Sequence, residues 1–187
     1  MGLRQLLLAL ACAAFAASLS GCFLEPEEEE GAALREGLAV KVGDIEYTVY
    51  MTRQLNPALA DDRGYWQGPE AEPGFALYGV FIQACNRSDE DDDLEDANYF
   101  ATDDFVVVDT QGNEYEPLET DDENVFHYHA TELEPGQCIP TKGSLAQQGP
   151  TAGAMIPFEF PLEAGENRPL ELEIHGEGQE GLVELDL

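Results

Sequence analysis

The chain has 187 residues, with 39 acidic residues against 8 basic ones and a formal net charge of −31 at pH 7. Because a phosphate backbone is recognised through a basic surface, this charge balance excludes nucleic acid as a partner. It leaves cations, basic peptides and basic proteins as candidate partners, although a solvated surface that keeps an exported protein soluble is the more ordinary explanation.

Residues 1–21 have the organisation of a secretory signal peptide. Arg4 precedes an apolar run, Leu6–Leu19, which is too short for a membrane-spanning helix of about 20 residues. An uncleaved signal anchor is the alternative. The run ends in the tetrapeptide Leu19-Ser20-Gly21-Cys22. This tetrapeptide resembles the lipobox of bacterial lipoproteins, and the resemblance implies that Cys22 is lipidated and becomes the first residue of the mature protein.

Residues 22–36 are predicted to form a flexible acidic tether. Four consecutive glutamates, Glu27–Glu30, stand between Pro26 and Gly31, a composition that buries little apolar surface. The lipid chains would hold the protein on the bilayer, and the acidic tether would be repelled by anionic lipid. We therefore expect the protein on the extracytoplasmic face of the cell membrane, with residues 37–187 forming one domain.

The domain shows strand patterns and no long helical pattern. Alternating runs rich in β-branched and aromatic residues predict strands at Leu38–Val42, Ile45–Met51, Phe75–Cys85, Phe105–Asp109, Glu114–Glu116, Cys138–Leu145, Ala154–Phe160, Leu170–Ile174 and Leu182–Leu187. Phe75–Cys85 is the most apolar run and is expected to be a central strand. Gly43-Asp44 and Thr110–Asn113 are turn signals. Together they predict an all-β fold, an antiparallel β-sandwich, which the resemblance described next specifies as immunoglobulin-like.

Several segments share their order and spacing with a known group of proteins. They are Gly43–Met51, Phe75–Ser88, Asp104–Asp109, Gly112–Tyr115, Leu133–Gly136 and Ile156–Pro161. The chain resembles, over about residues 38–175, the bacterial lipoproteins with a telokin-like, immunoglobulin-like domain of unknown function. The resemblance implies a small β-sandwich outside the membrane and no established enzymatic activity. The chain departs from that pattern in the acidic insert Asp89–Asp96 and in the segment Asn56–Pro73.

Of the four cysteines, Cys12 lies in the predicted signal peptide and Cys22 is the lipidation site that the resemblance implies. Cys85 and Cys138 are then left for the domain. Outside the cytoplasm the setting is oxidising, so we expect these two residues to form a disulfide. Two buried free thiols are the alternative.

The acidic insert is the sharpest candidate for a ligand site. Calcium takes six to eight oxygen ligands, and a dense carboxylate loop supplies them. The candidate ligands are Asp89, Asp91, Asp92, Asp93 and Asp96. The run lacks the glycine at position six and the glutamate at position twelve of an EF-hand loop, so a solvated, self-repelling loop is the alternative. No other cofactor is expected.

Two further groups of residues have alternative interpretations. The run His127-Tyr128-His129 follows Asp121, Asp122 and Glu123. On a strand it would place both imidazoles on one face, but two local ligands fall short of a metal site, so we expect a surface strand with solvated histidines. Tyr65 and Trp66 are either exposed contact residues or the cover of one open end of the sandwich core, and we expect the second.

The chain contains no G-x-S-x-G nucleophile motif and no P-loop, so we expect that it is not an enzyme. Two functions remain. The first is a lipid-anchored extracytoplasmic binding or interaction module with an unknown ligand, whose partner is an envelope or extracellular protein. The second is a structural or cation-buffering envelope lipoprotein without a specific partner.

Overall fold

Short β-strands make up most of the regular structure. The computed structural model describes residues 32–88, 97–120 and 123–187. The strands are β1 Leu34–Arg35, β2 Ala39–Val42, β3 Ile45–Gln54, β4 Phe75–Asn86, β5 Tyr99–Phe100, β6 Phe105–Val108, β7 Glu114–Tyr115, β8 Glu132–Leu133, β9 Cys138–Ile139, β10 Ala154–Pro161, β11 Leu170–Gly176 and β12 Gln179–Leu185. An α-helix spans Leu145–Gln148, and short 3-10 helices span Asp62–Gly64 and Leu162–Glu166. Within these ranges, no helix is both long and apolar enough to cross a membrane.

The strands form two five-stranded sheets and a two-stranded ribbon within one compact unit, Gly31–Leu187. The first sheet has the order β1-β12-β11-β6-β7. The second sheet has the order β10-β4-β3-β2, with β9 also paired to β4. Strands β5 and β8 form the ribbon. Neighbouring strands are antiparallel except for β1 and β12, so the predicted all-β antiparallel sandwich is confirmed.

The inner faces of the two sheets meet in the main hydrophobic core. Alternate residues of a strand point to the same side, so β3 contributes Ile45 and Tyr47 while β11 contributes Leu172 and Ile174. All four are almost completely buried. Phe105 of β6 lies edge-on to Tyr47, with ring centroids 6.3 Å apart. Such aromatic contacts across the sandwich add about 0.5–1.5 kcal/mol to simple burial.

Strand β4 is buried on both of its faces, which explains why it is the most apolar run of the chain. Val80 and Ile82 point into the main core, whereas Leu77 and Phe81 point to the outside of the second sheet. There they pack against Met155 of β10 in a second hydrophobic cluster. A strand with two buried faces has a nearly continuous apolar sequence. The predicted central position of this strand is confirmed.

Residues 55–72, here called the covering segment, close this second cluster from outside. Tyr65 and Trp66 are buried in it, and Tyr65 lies edge-on to Phe81 with 5.2 Å between ring centroids. The prediction that these aromatics cover the core was right about burial and wrong about place. They lie on the outer face of the second sheet rather than at an open end, because Leu77 and Phe81 make that face apolar.

The boundary between tether and domain differs from the prediction. Leu34 and Arg35, which the sequence placed in the tether, form β1 and pair in parallel with Val183 and Glu184 of β12. The ordered chain therefore reaches the first sheet before residue 37. A two-residue strand is too short to show an alternating pattern in the sequence. Strands β5 and β8 are not predicted for the same reason.

The predicted strand over Cys138–Leu145 is correct only for its first two residues. Pro140 follows Ile139 and cannot donate a hydrogen bond to a ladder. Gly143 adopts a φ of 82°, a left-handed conformation that turns the chain. The Ser144 side chain then accepts a hydrogen bond from the backbone N–H of Gln147, which caps the short α-helix.

Candidate functional site

Cys85 of β4 and Cys138 of β9 form a disulfide, so the predicted pairing is confirmed. The two residues stand opposite each other in the ladder, with Cα atoms 4.1 Å apart. The bond joins positions 53 residues apart in the sequence. Through loop entropy alone, a crosslink of this span stabilises a folded domain by about 4 kcal/mol.

A cleft of about 550 Å³ opens beside the covering segment on the outer side of the second sheet. Its lining includes Trp66, Gln67, Gly68, Pro69, Glu119, Glu123, Asn124 and His127. The volume lies within the range of small-ligand sites, about 300–1,000 Å³. An indole and an imidazole form its inner part, while the exposed carboxylates of Glu119 and Glu123 stand at its rim.

A hydrogen bond to the covering segment fixes His127 at the inner part of the cleft. Its side chain is buried, and its Nε2 lies 2.7 Å from the carbonyl oxygen of Tyr65. A carbonyl oxygen can only accept a hydrogen bond, so Nε2 carries the proton. The Asn124 side-chain amide also donates to the Tyr65 carbonyl, at 3.4 Å. The Tyr65 carbonyl therefore links the covering segment, which forms one wall of the cleft, to the loop that carries Asn124 and His127, which forms the other.

The prediction of a surface strand with two solvated histidines is wrong. His127 lies in an isolated bridge to Met155 of β10 rather than in a strand, and its ring packs near Trp66 with 6.4 Å between centroids. His129 is half-buried. Burial follows from the apolar outer face of the second sheet, which draws this loop and the covering segment together.

Gly68 allows the chain to turn closely across the Trp66 ring. The indole Nε1–H donates to the Pro69 carbonyl at 2.8 Å, so the ring is held by its own segment. A Cβ atom at position 68 would lie 2.3 Å from the ring, a distance that only glycine avoids. The sequence Gly64-Tyr65-Trp66-Gln67-Gly68 was noticed for its aromatics, and the importance of the last glycine was missed.

An ion pair fixes the covering segment to the sheet. The Asp62 carboxylate lies 2.8 Å from Nη1 of Arg53 in β3 and accepts a 2.7 Å hydrogen bond from the Asn56 backbone N–H. The Arg53 guanidinium lies 5.4 Å from the ring centroids of both Tyr65 and Phe81. Such a position over aromatic faces adds a cation–π attraction. The wall of the cleft is therefore held rigidly before any ligand arrives.

A second group of side chains converges on the outer face of the first sheet. Strands β11 and β12 are joined by the tight turn Glu177-Gly178, in which both residues have positive φ, 51° and 77°. His175 stands opposite Glu180, and Glu173 lies two residues earlier on the same face of β11. One ligand atom from each of these three side chains lies within 4.8 Å of the other two.

Charge repulsion acts within this hairpin cluster of Glu173, His175 and Glu180. Partial burial raises the pKa of the Glu173 carboxyl, and the negative charge of Glu180 raises it further, against the lowering effect of His175. The His175 Nε2 lies 3.3 Å from Glu173 Oε2, and its Nδ1 lies 4.0 Å from Glu180 Oε1. The sequence alone gives His175 no role, because its cross-strand partner becomes visible only when the hairpin register is known.

The same hairpin contains a glycine spacing found in dinucleotide-binding loops, Gly176-x-Gly178-x-x-Gly181. That motif requires a strand followed by a helix whose N-terminus receives the pyrophosphate. Here the glycines lie in a β-hairpin. Gly181 instead allows β12 to approach β2, since a Cβ atom there would lie 2.6 Å from Val42. The spacing therefore serves packing between the sheets.

Asp109 is a buried carboxylate that ties the β6–β7 hairpin together. It accepts hydrogen bonds from the backbone of Gln111 and Asn113, and from the side chains of Asn113, Tyr115 and Asn167, at 2.8–3.2 Å. Burial raises its pKa, but the hydrogen bonds outweigh this effect and hold the pKa well below its usual range. The carboxylate has a structural role that the sequence did not suggest.

Two predicted sites lie outside the described residues. These are the lipidation site Cys22 and the candidate calcium ligands Asp89, Asp91, Asp92, Asp93 and Asp96. The chain on either side of the acidic insert is held by Asn86, whose side-chain amide donates to the carbonyls of Ala97 and Leu133 at 2.8 and 2.9 Å. The Asn86 carboxamide oxygen accepts from the backbone N–H of Ser88.

Comparison with known proteins identifies no family. No protein-family model matches the chain, and no curated protein matches it. Its fold is similar to the yjhA protein from Bacillus subtilis, with a TM-score of 0.48 and 11% identity over 82% of this chain and 99% of that one. It is also similar to an uncharacterized β-sandwich protein from Clostridium difficile 630, with a TM-score of 0.43 and 12% identity over 87% of this chain and 100% of that one. At these values the likeness says nothing about function, and the resemblance to the lipoprotein family stays a prediction.

Proposed function

We propose that the protein is a lipid-anchored, extracytoplasmic binding module, and that the cleft beside Trp66 binds a basic segment of an envelope or extracellular protein. The observation that carries this proposal is the preformed cleft with carboxylates at its rim. Binding is favoured over catalysis because the imidazole of His127 is engaged by the Tyr65 carbonyl, which holds the ring as part of the cleft wall.

The proposed location is supported by two separate features. The tetrapeptide ending in Cys22 has the form of a lipobox, and Cys85 is joined to Cys138. Disulfides persist in oxidising compartments and are rare in the cytosol. Membrane attachment through lipid on Cys22 is therefore consistent with the redox state of the domain.

The chemistry of the cleft suits a lysine or arginine side chain. Such side chains combine an apolar stem with a charged end. The stem would lie in the inner part of the cleft, near Trp66, and the charged end would reach Glu119 or Glu123 at the rim. Because Arg53 and Asp62 already hold the covering segment, little ordering entropy would be lost on binding.

The test uses the fluorescence of Trp66, which is the only tryptophan of the chain. A short oligolysine peptide is titrated into the purified full chain at physiological ionic strength. We expect a saturable change in the emission of Trp66. The variants Glu119→Gln and Glu123→Gln should each weaken binding several-fold. The matched control is Glu184→Gln, which removes the same charge from β12 on the other sheet and should leave binding unchanged.

The cation-buffering alternative makes a different prediction. If the protein attracts cations only through its net charge of −31, the three glutamine variants should weaken peptide binding equally and slightly. Trp66 emission would then change little at saturation. Equal effects at Glu119 and Glu184 would overturn the proposed cleft and favour a structural or cation-buffering envelope lipoprotein.

A further inference from the structure

We propose that Glu173, His175 and Glu180 form a binding site for a divalent transition-metal ion, for which Zn²⁺ is the probe. The site lies on the outer face of the first sheet, whereas the cleft lies on the second sheet. It therefore does not depend on the proposed function of the cleft.

The three side chains are neighbours on one face of the β11–β12 hairpin. His175 and Glu180 are directly opposed across the β11–β12 ladder, and Glu173 is the next residue of β11 on that face. The backbone of all three belongs to one hairpin closed by a tight turn. Their ligand atoms already lie within 4.8 Å of one another, so a metal ion would require only small side-chain rotations.

The donor set of the cluster combines nitrogen and oxygen. One imidazole with two carboxylates suits zinc and its neighbours, which accept both nitrogen and oxygen ligands, better than magnesium or calcium, which prefer oxygen alone. Three protein ligands leave at least one coordination position open to water or to another ligand.

The surface beside the cluster provides space for that open coordination position. A depression of about 500 Å³ adjoins the cluster, and its lining includes His175 and Glu180 from the hairpin together with Thr102 and Asp104 from the loop before β6. The His175 backbone N–H donates to the Asp104 carbonyl at 3.0 Å, which fixes this loop beside the hairpin. The depression gives water or an exchangeable ligand access to the bound ion.

Electrostatics favours the same conclusion. Glu173 and Glu180 place two carboxylates beside each other on the same face of the hairpin, where like charges repel. A divalent cation between them would replace the repulsion with two attractive contacts. Binding should therefore stabilise the folded protein against unfolding, by an amount that rises with the logarithm of the free metal concentration above the Kd.

The experiment measures Zn²⁺ binding to the untagged full chain by isothermal titration calorimetry and by the rise in melting temperature. Mg²⁺ at equal concentration serves as the control for screening by any divalent cation. Co²⁺ as a second probe reports a nitrogen-containing coordination sphere through its visible absorption. We expect one Zn²⁺ per chain bound at least tenfold more tightly than Mg²⁺.

Variants then locate the ion. His175→Ala and Glu180→Gln should each weaken Zn²⁺ binding at least tenfold, and because Glu180 is an exposed side chain, its variant keeps the fold intact. The matched controls are Glu171→Gln, on the same face of β11, and His129→Ala, which should both retain binding. Unchanged affinity in His175→Ala, or equal responses to Zn²⁺ and Mg²⁺, would overturn the proposal.

Discussion

Removing Arg53 should destabilise the domain more than removing Asp62, its partner in the ion pair. The Asp62 side chain is 7% exposed and the Arg53 side chain is 29% exposed. Arg53→Met would leave a buried carboxylate with one remaining backbone hydrogen bond, from Asn56. Asp62→Asn would leave a guanidinium that water reaches and that two aromatic rings still contact.

These exposures determine how much free energy of unfolding each variant should lose. Leaving a buried charge without its partner costs about 3–5 kcal/mol, which is the value expected for Arg53→Met. Losing one hydrogen bond to a charged group costs about 1.5–3 kcal/mol, which is the value expected for Asp62→Asn. The double variant should cost no more than Arg53→Met alone, because neither charge is then left buried without compensation.

Urea denaturation with the disulfide intact measures these differences. Far-UV circular dichroism follows the sheets, and the emission of Trp66 follows the covering segment, because the Trp66 backbone N–H donates to the Asp62 carbonyl. Comparable denaturant slopes among the variants would show that each unfolds to the same extent. Strictly additive costs in the double variant, or a larger loss from Asp62→Asn than from Arg53→Met, would refute this account of the pair.

Three further predictions concern stability and the shape of the cleft. Replacing Cys85 and Cys138 together by serine should lower the free energy of unfolding by about 3–4 kcal/mol in urea titrations. The pKa of Asp109 lies below its unfolded value near 3.8, so its stabilising effect is complete above about pH 4 and is lost as the pH falls through the folded pKa. Asp109→Asn should therefore destabilise the domain near neutral pH and flatten the acid limb of a melting-temperature profile. Gly68→Ala should displace the indole and shift its emission to longer wavelength, whereas Gly165→Ala, where a Cβ meets no atom within 4 Å, should not.

The strands could be predicted from the sequence because burial on one face imposes alternation, and burial on both faces imposes a continuous apolar run. The Cys85–Cys138 pairing could be predicted because these were the two cysteines left for the domain. The hairpin cluster was missed because Glu173 and Glu180 become neighbours only through a register that the turn at Glu177 sets. His127 was misplaced because its burial depends on an outer sheet face, and that second core is not visible in the local sequence.

The two outer faces of the sandwich differ because their residue patterns differ, and this difference accounts for both candidate sites. On the second sheet, Leu77 and Phe81 present an apolar surface that must be covered, and the covering segment does so. The cleft lies where the segment turns closely at Gly68, beside the loop that carries His127. On the first sheet the outer residues of β11 are polar and half-buried, so that face needs no apolar cover. The side chains on this outer face are therefore accessible to solvent and ions. A ligand that needs an enclosed, partly apolar cleft should therefore bind at the second sheet, and a divalent transition-metal ion at the first.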